Sequence, residues 1–237
     1  MTPAPPVLLA LDHPAQRAEA PLSALRLPAL HQLLPAPPPP ASPGPYLEGL
    51  CAALPPDRPA AVLAPCASAP LAAVLAGRTD RAVPLVLFDA EPVTAAMVLT
   101  AYRDTVAQLG VVPDHREARH LAACVGEPGA FLAHARHRLA AHVDGALRAD
   151  GAGAEDVQDL AEPLVDAALR WLAHLLAAHH APPPASVGPT LRILSARTPG
   201  DGLRIGCERV DLLRDPRTAD AVVAFLAAHG VRTGPDH

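Results

Sequence analysis

One cysteine stands among small residues between an apolar run and a helical stretch. Cys66 follows the run Ala60–Ala64 and precedes the stretch Ala67–Gly77. A nucleophile held at a sharp strand-to-helix turn has a strained backbone, so the positions two before and two after it must be small. Ala64 and Ser68 meet that requirement. The pattern predicts a nucleophile elbow, with a helix N-terminus that favours the thiolate; a buried structural cysteine is the alternative.

The segments around this turn alternate between two kinds of pattern. Short apolar runs bounded by Pro, Gly and Asp predict buried strands at Val7–Asp12, Ala60–Ala64, Pro84–Asp89 and Leu191–Ala196, and less clearly at Leu22–Leu27 and Cys207–Leu212. Helical stretches are predicted at Tyr46–Leu54, Ala67–Gly77 and Thr218–His229. Strands that alternate with helices predict an α/β fold, with a mainly parallel sheet and helices on both faces.

The segment from about residue 91 to 185 contains no strand candidate. Leu, Val and Ala recur there at spacings of three and four residues, which is typical of amphipathic helices. The helical stretches are Val93–Leu109, Asp114–Cys124, Pro128–Arg148 and Glu155–His180. We therefore predict a single domain, 1–237, with a core formed by 1–90 and 186–237 and a helical lid inserted at about 91–185.

The order of these segments resembles the thioesterases that serve polyketide and nonribosomal peptide assembly lines. The resemblance rests on the loop Leu11–Ala15, the Cys66 turn, the strand Leu85–Asp89 and the final segment Glu208–Pro216. It extends from the first strand to the final loop and implies the α/β-hydrolase fold.

The resemblance also implies roles for particular residues. Cys66 would be the nucleophile and Asp89 the acidic member of a catalytic triad. The backbone amides of Ala67 and of Ala15 or Gln16 would form the oxyanion hole that holds the substrate carbonyl oxygen. For Asp89, an N-cap of the following helix is the alternative interpretation.

One residue departs from the family pattern. Arg209 occupies the position of the catalytic His, and a guanidinium cannot act as a general base because it stays protonated. Either another group replaces the His, or the protein no longer performs ordinary acyl transfer. Arg209 would then pair with Asp89 or contact a phosphopantetheine arm.

Histidines elsewhere in the chain are candidates for the missing base. His13 is the first candidate, because the resemblance places it beside the oxyanion hole; a solvent-exposed loop histidine is the alternative. Histidines of the helical segment are the second candidates, with exposed positions on helices as their alternative: His115, His120, His134, His137 and His142.

Two classes of function fit these residues. As an enzyme, the protein would accept an acyl chain from an acyl or peptidyl carrier protein onto Cys66, without a cofactor beyond the carrier's phosphopantetheine. A cysteine thioester under a water-excluding lid favours release by Dieckmann-type ring closure; a hydrolytic editing thioesterase is the alternative. As a non-enzyme, it would be a degenerate thioesterase that binds an acyl chain or a carrier protein. Arginines of the helical segment could meet an acidic carrier surface: Arg116, Arg119, Arg136 and Arg138.

The composition argues against other classes. The net charge is −5, lysine is absent, and no basic cluster alternates with aromatics, so nucleic-acid binding is not expected. The apolar run Val7–Leu11 is too short for a signal peptide or a membrane span, which predicts a cytoplasmic protein. The 4 cysteines are irregularly spaced, so we expect free thiols and no metal site.

Overall fold

The computed structural model describes most of the chain. The described residues are 6–13, 19–28, 30–33, 43–55, 59–79, 81–112, 114–151, 153–184 and 188–232.

A six-stranded sheet, parallel at every pairing, forms the centre of the fold. Its strands are β1 (Leu8–Ala10), β2 (Leu30–Gln32), β3 (Ala61–Pro65), β4 (Leu85–Phe88), β5 (Thr190–Leu194) and β6 (Leu203–Arg204). They lie side by side in the order β2-β1-β3-β4-β5-β6. The predicted α/β fold with a parallel sheet is therefore confirmed.

The α-helices of the described chain match the helical stretches of the sequence to within a few residues. They are α1 (Pro43–Ala52), α2 (Ala69–Gly77), α3 (Ala95–Gln108), α4 (His115–Cys124), α5 (Pro128–Ala149), α6 (Ala154–His179) and α7 (Pro216–Ala228). Helices α3, α4 and α7 are each N-capped by a side chain that accepts a hydrogen bond from a backbone N–H of the first turn. The capping residues are Thr94, Asp114 and Asp215.

The chain divides into two compact units. The sheet unit comprises Met1–Leu34, Leu50–Pro92 and Ala181–His237. The helical unit comprises Pro35–Gly49 and Val93–His180, so that most of α1 groups with the helices and not with the sheet.

The sheet unit is built around alternating strand side chains. On one face, Leu8, Leu63, Val86 and Ile193 belong to a buried apolar cluster completed by Val222 and Leu226 of α7. Helix α2 packs against β3 and β4 and buries a separate set of side chains, as expected for a sheet covered on both faces.

The helical unit has its own core. Helix α5 packs along α6, and α3 packs against α6 and α4. Tyr102, Phe131, Leu139 and Leu172 are among its fully buried side chains.

Two predicted strands are wrong. Within Leu22–Leu27 the chain forms the 3₁₀ turn Leu22–Leu25, and within Cys207–Leu212 it enters the 3₁₀ turn Arg209–Arg214. The Leu22 amide donates a hydrogen bond to Asp12 Oδ2 at 2.6 Å, a tertiary contact that no local pattern predicts.

Candidate active site

The strand order creates a topological switch point between β1 and β3. β1 is flanked by β2 on one side and β3 on the other, so the direction in which successive strands are added across the sheet reverses at this point, while all strands stay parallel. In open parallel sheets, ligands bind outside the carboxyl ends of the strands at such a switch point. Asp12 and His13 follow β1, Cys66 follows β3, and Asp89 follows β4. The structure thus brings three predicted site residues, His13, Cys66 and Asp89, to the same edge.

Cys66 has a left-handed backbone conformation. Its φ is 45°, whereas only glycine adopts this region without strain. The residue is the first of the 3₁₀ turn Cys66–Ser68, which leads directly into α2, and its side chain is partly exposed. A strained residue that turns a buried strand into a helix is the backbone geometry expected of a nucleophile elbow.

Asp89 is the second strained residue at this edge. Its φ is 43°, and its side chain is 1% exposed. Oδ1 accepts a hydrogen bond from the Ser195 amide at 2.7 Å, which links the end of β4 to the end of β5. Within the described chain, Oδ2 has no hydrogen-bond partner. Asp89 does not cap the following helix, since Thr94 has that role in α3.

Arg209 lies in the final 3₁₀ turn and forms ion pairs with two carboxylates. Its Nη1 donates to Glu91 Oε1 at 2.7 Å. Its Nε lies 3.1 Å from Glu19 Oε1 as an ion pair, although the angle is outside hydrogen-bond geometry. Arg209 and Asp89 do not form the suggested ion pair. Asp89 Oδ1 binds the Ser195 amide, and Asp89 Oδ2 has no hydrogen-bond partner in the described chain.

The third neighbour of Arg209 is the sulfur of Cys66. Burial opposes the charge of the guanidinium, but the attraction and hydrogen bond to Cys66 outweigh it, with further help from Glu91 and Glu19, and the pKa of Arg209 is raised. A positive charge beside a thiol favours the thiolate form. The position expected to hold a base therefore holds a fixed positive charge.

The other predicted site residues have different outcomes. His13 is buried, with 8% exposure, so it is not a solvent-exposed loop histidine. Ala67 is buried in the turn immediately after Cys66. Ala15 and Gln16 lie outside the described residues, so the second half of the predicted oxyanion hole stays a prediction.

Several histidines of the helical unit have structural partners. His174 Nδ1 lies 2.7 Å from the Tyr46 hydroxyl, and burial raises the pKa of Tyr46. His179 Nδ1 and His180 Nε2 lie 2.8 and 2.9 Å from the carbonyl oxygens of Val93 and Val125. These side chains tie helices together within their unit.

Three residues of the site were missed by sequence reasoning. Glu19 and Glu91 bind Arg209, and the Ser195 amide holds Asp89. Glu91 follows Asp89 by two positions, so its proximity to the strand end was the one available signal. Glu19 and Ser195 reach the site only through tertiary folding.

Comparisons with known proteins add little to this geometry. No family model matches the chain, and no curated protein matches it. Among solved structures, it is similar to the bottromycin epimerase BotH in complex with bottromycin A2, with 16% identity over 97% of this chain and 92% of that chain and a TM-score of 0.44. A likeness of this degree identifies neither a family nor an activity.

Two further features concern ligands and membranes. Within the residues that the structure describes, His, Cys, Asp and Glu form no group of three or more able to hold a metal ion. Among the described helices, none is both long and apolar enough to cross a membrane.

Proposed function

We propose that this protein is a thioesterase-like enzyme of the α/β-hydrolase type that uses the Cys66 thiolate to accept an acyl chain from a thioester. The observation that carries the proposal is the strained, partly exposed Cys66 at the turn from β3 into α2, whose sulfur interacts with the Arg209 guanidinium. The order of nucleophile, acid and final loop along the chain supports the α/β-hydrolase assignment.

The arginine changes how the nucleophile is activated. A serine needs a general base to remove its proton during attack, and an arginine cannot supply one. A thiol loses its proton near neutral pH when a positive charge lies beside it. Arg209 would therefore act before the reaction, by keeping Cys66 ionised, and it would not carry protons.

The first step of the proposed reaction needs no base. The Cys66 thiolate attacks the carbonyl carbon of the substrate thioester, and the developing oxyanion is held by the Ala67 amide and the predicted second amide. The bond from that carbon to the carrier sulfur breaks, and the carrier leaves as a thiolate that takes a proton from water. The acyl chain is now a thioester on Cys66.

The second step releases the chain. A carbon or amine nucleophile within the acyl chain attacks the Cys66 thioester, loses its proton, and closes a ring, while Cys66 leaves as the thiolate that Arg209 stabilises. His13 is the first candidate to accept that proton. The carrier-protein partner, its phosphopantetheine arm, the Dieckmann-type outcome and the lid at 91–185 are parts of this proposal, with hydrolytic editing as the variant in which water is the acceptor.

A binding function is the second candidate, and one observation favours it. The guanidinium of Arg209 already forms ion pairs with Glu19 and Glu91, as expected if Arg209 has a structural role and no catalytic one. A degenerate thioesterase of this kind would bind an acyl chain or a carrier protein and leave the thioester intact.

Intact-protein mass spectrometry separates the two candidates. The full chain is mixed with N-acetylcysteamine thioesters of several chain lengths, and adduct formation is followed over time. We expect a single acyl adduct that is lost in Cys66→Ala and retained in Cys207→Ala. Cys207 is a matched control thiol, because burial and the nearby Asp215 raise its pKa.

Two other results would contradict the proposed enzyme. An adduct that persists in Cys66→Ala would remove Cys66 from the reaction. If no thioester of any length acylates the protein, and Cys66 also resists alkylation, the binding function replaces the enzyme.

A further inference from the structure

The strongest cluster of titratable side chains outside the candidate active site lies in the helical unit. A cavity of about 470 Å³ opens between α4 and α5. Its lining residues come from both helices and from the cap of α4: Asp114, Arg116, Glu117, His120, His134 and Arg138.

The buried carboxylate of Glu117 fixes one wall of this cavity. Glu117 is 5% exposed and accepts hydrogen bonds from the Tyr102 hydroxyl and from Arg138 Nε at 2.8 Å, while His142 Nε2 lies 3.1 Å from Oε1. Burial alone would raise the pKa of Glu117, but these hydrogen bonds outweigh it and hold the pKa below its ordinary value. The Glu117 carboxylate is thus ionised and hydrogen-bonded, and it orients Arg138.

Arg138 is held against the cavity with part of its guanidinium uncommitted. Its Nε and Nη2 bind Glu117 Oε2, the latter at 2.6 Å, and among the described residues Nη1 has no hydrogen-bond partner. A carboxylate that holds an arginine in one conformation commonly preorganises a binding site, because the arginine side chain then loses little conformational freedom when a ligand binds.

Further donors converge from both helices. The rings of His120 and His134 are 4.2 Å apart between centroids, and His134 Nε2 is buried without a hydrogen-bond partner in the described chain. Arg116 is exposed and, within the same residues, forms no ion pair. The Asp114 carboxylate faces the cavity but is engaged with the Glu117 amide at 2.7 Å.

We propose that this cavity binds a phosphate group, either as the free ion or as the phosphate ester of a larger metabolite. Two guanidiniums and two imidazoles from opposite walls match the several acceptor oxygens of a phosphate better than the two of a carboxylate. The cavity is also larger than a phosphate ion, which leaves room for the rest of an ester. This phosphate site does not depend on the chemistry of Cys66.

Calorimetric titration of the full chain tests the site directly. The probes are inorganic phosphate, glycerol 3-phosphate and glycerol. We expect both phosphate compounds to bind and glycerol not to bind. A glycerol 3-phosphate affinity well above that of inorganic phosphate assigns the site to an ester, and equal affinities assign it to the free ion. The absence of phosphate binding would overturn the proposal.

Matched variants locate the binding. Arg116→Gln and His134→Gln should each weaken phosphate binding about tenfold or more, as expected for the loss of a charge-assisted hydrogen bond. Arg119→Gln and His115→Gln remove the same groups from positions that do not line this cavity, and they should change the affinity less than about twofold. Equal weakening of phosphate binding by the control variants would mean that the ion responds only to the overall charge of the protein. That result would contradict a phosphate site in this cavity.

The pH dependence provides a second test. Burial and the adjacent His120 lower the pKa of His134, and a bound anion reverses that effect, so binding should take up a proton. The charged and titratable groups that face His134 are His120 and Glu117 of α4 and His137 and Arg138 of α5. Sulfate is the suitable probe because it stays a dianion. Its affinity should rise several-fold from about pH 8 to about pH 6, and this rise should be smaller in His134→Gln. A pH-independent affinity would contradict the role of the imidazoles.

Discussion

Cys66 and Asp89 leave adjacent parallel strands in the same unusual conformation. Pro65 of β3 pairs with Phe88 of β4, so Cys66 and Asp89 are the next residues along each strand, and their φ angles are 45° and 43°. Two non-glycine residues held side by side in the left-handed region store backbone strain at one edge of the sheet. Strain of this kind persists where the surrounding structure holds it, and it often marks functional sites.

The first prediction concerns the reactivity of the Cys66 thiol. Arg209→Gln removes the positive charge beside the sulfur, so the pKa of Cys66 should rise and alkylation by iodoacetamide at neutral pH should slow about tenfold per pKa unit. Arg209→Lys keeps the charge and should retain most of the rate. Peptide mapping across the pH range from about 5 to about 9 measures each thiol separately. Identical profiles for the protein and Arg209→Gln would show that the guanidinium does not activate the thiol.

The second prediction concerns the strain at Cys66. Glycine relieves a positive φ, so Cys66→Gly should be more stable than Cys66→Ala by roughly 1 kcal/mol. Cys51 provides the control, because it lies in α1, where glycine is less favourable than alanine. The order of stability should therefore reverse for Cys51→Gly and Cys51→Ala. Denaturant midpoints measure both pairs, and a glycine variant at position 66 that is the less stable one would contradict the strained geometry.

The third prediction separates the acceptor role of Asp89 from its charge. Asp89→Asn keeps an oxygen for the Ser195 amide, whereas Asp89→Ala leaves that buried N–H without a partner. The alanine variant should lose about 1–3 kcal/mol more of the free energy of unfolding than the asparagine variant. Equal losses in urea unfolding would mean that the hydrogen bond does not hold the β4–β5 edge.

The fourth prediction concerns acid stability of the helical unit. The folded pKa of Glu117 lies below the ordinary value of 4.5, so its ion pair contributes stability above that pH. This contribution is lost as the pH falls from about 4.5 through the lower folded pKa. The stability difference between the protein and Glu117→Gln should therefore be constant near neutral pH and shrink in acid. A difference that does not change with pH would show that Glu117 contributes no charge-dependent stability.

The sequence predicts long or strongly apolar elements better than short ones. Strands β3 and β4 are buried along their whole length, and their apolar runs predict them directly. Strands β2 and β6 have only three and two residues, mostly exposed, so they leave no periodic pattern. Their positions depend on pairing with β1 and β5.

The candidate site was predictable as separate parts but not as an arrangement. The small residues around Cys66 and the Asp at the end of β4 are local signals, and both residues lie where such signals placed them. The pairing of Arg209 with Cys66, Glu19 and Glu91 joins segments that are far apart in the chain. Spacing alone does not show which of several carboxylates a distant arginine will meet.

The carboxylates around Arg209 also bear on how this site could change during evolution. The arginine codons CGC and CGU become histidine codons by substitution of a single base. A histidine at position 209 would lie near Glu19 and Glu91, whose negative charges favour a protonated imidazole. Where Arg209 is encoded by CGC or CGU, a single base substitution therefore separates the present site from a cysteine–histidine pair.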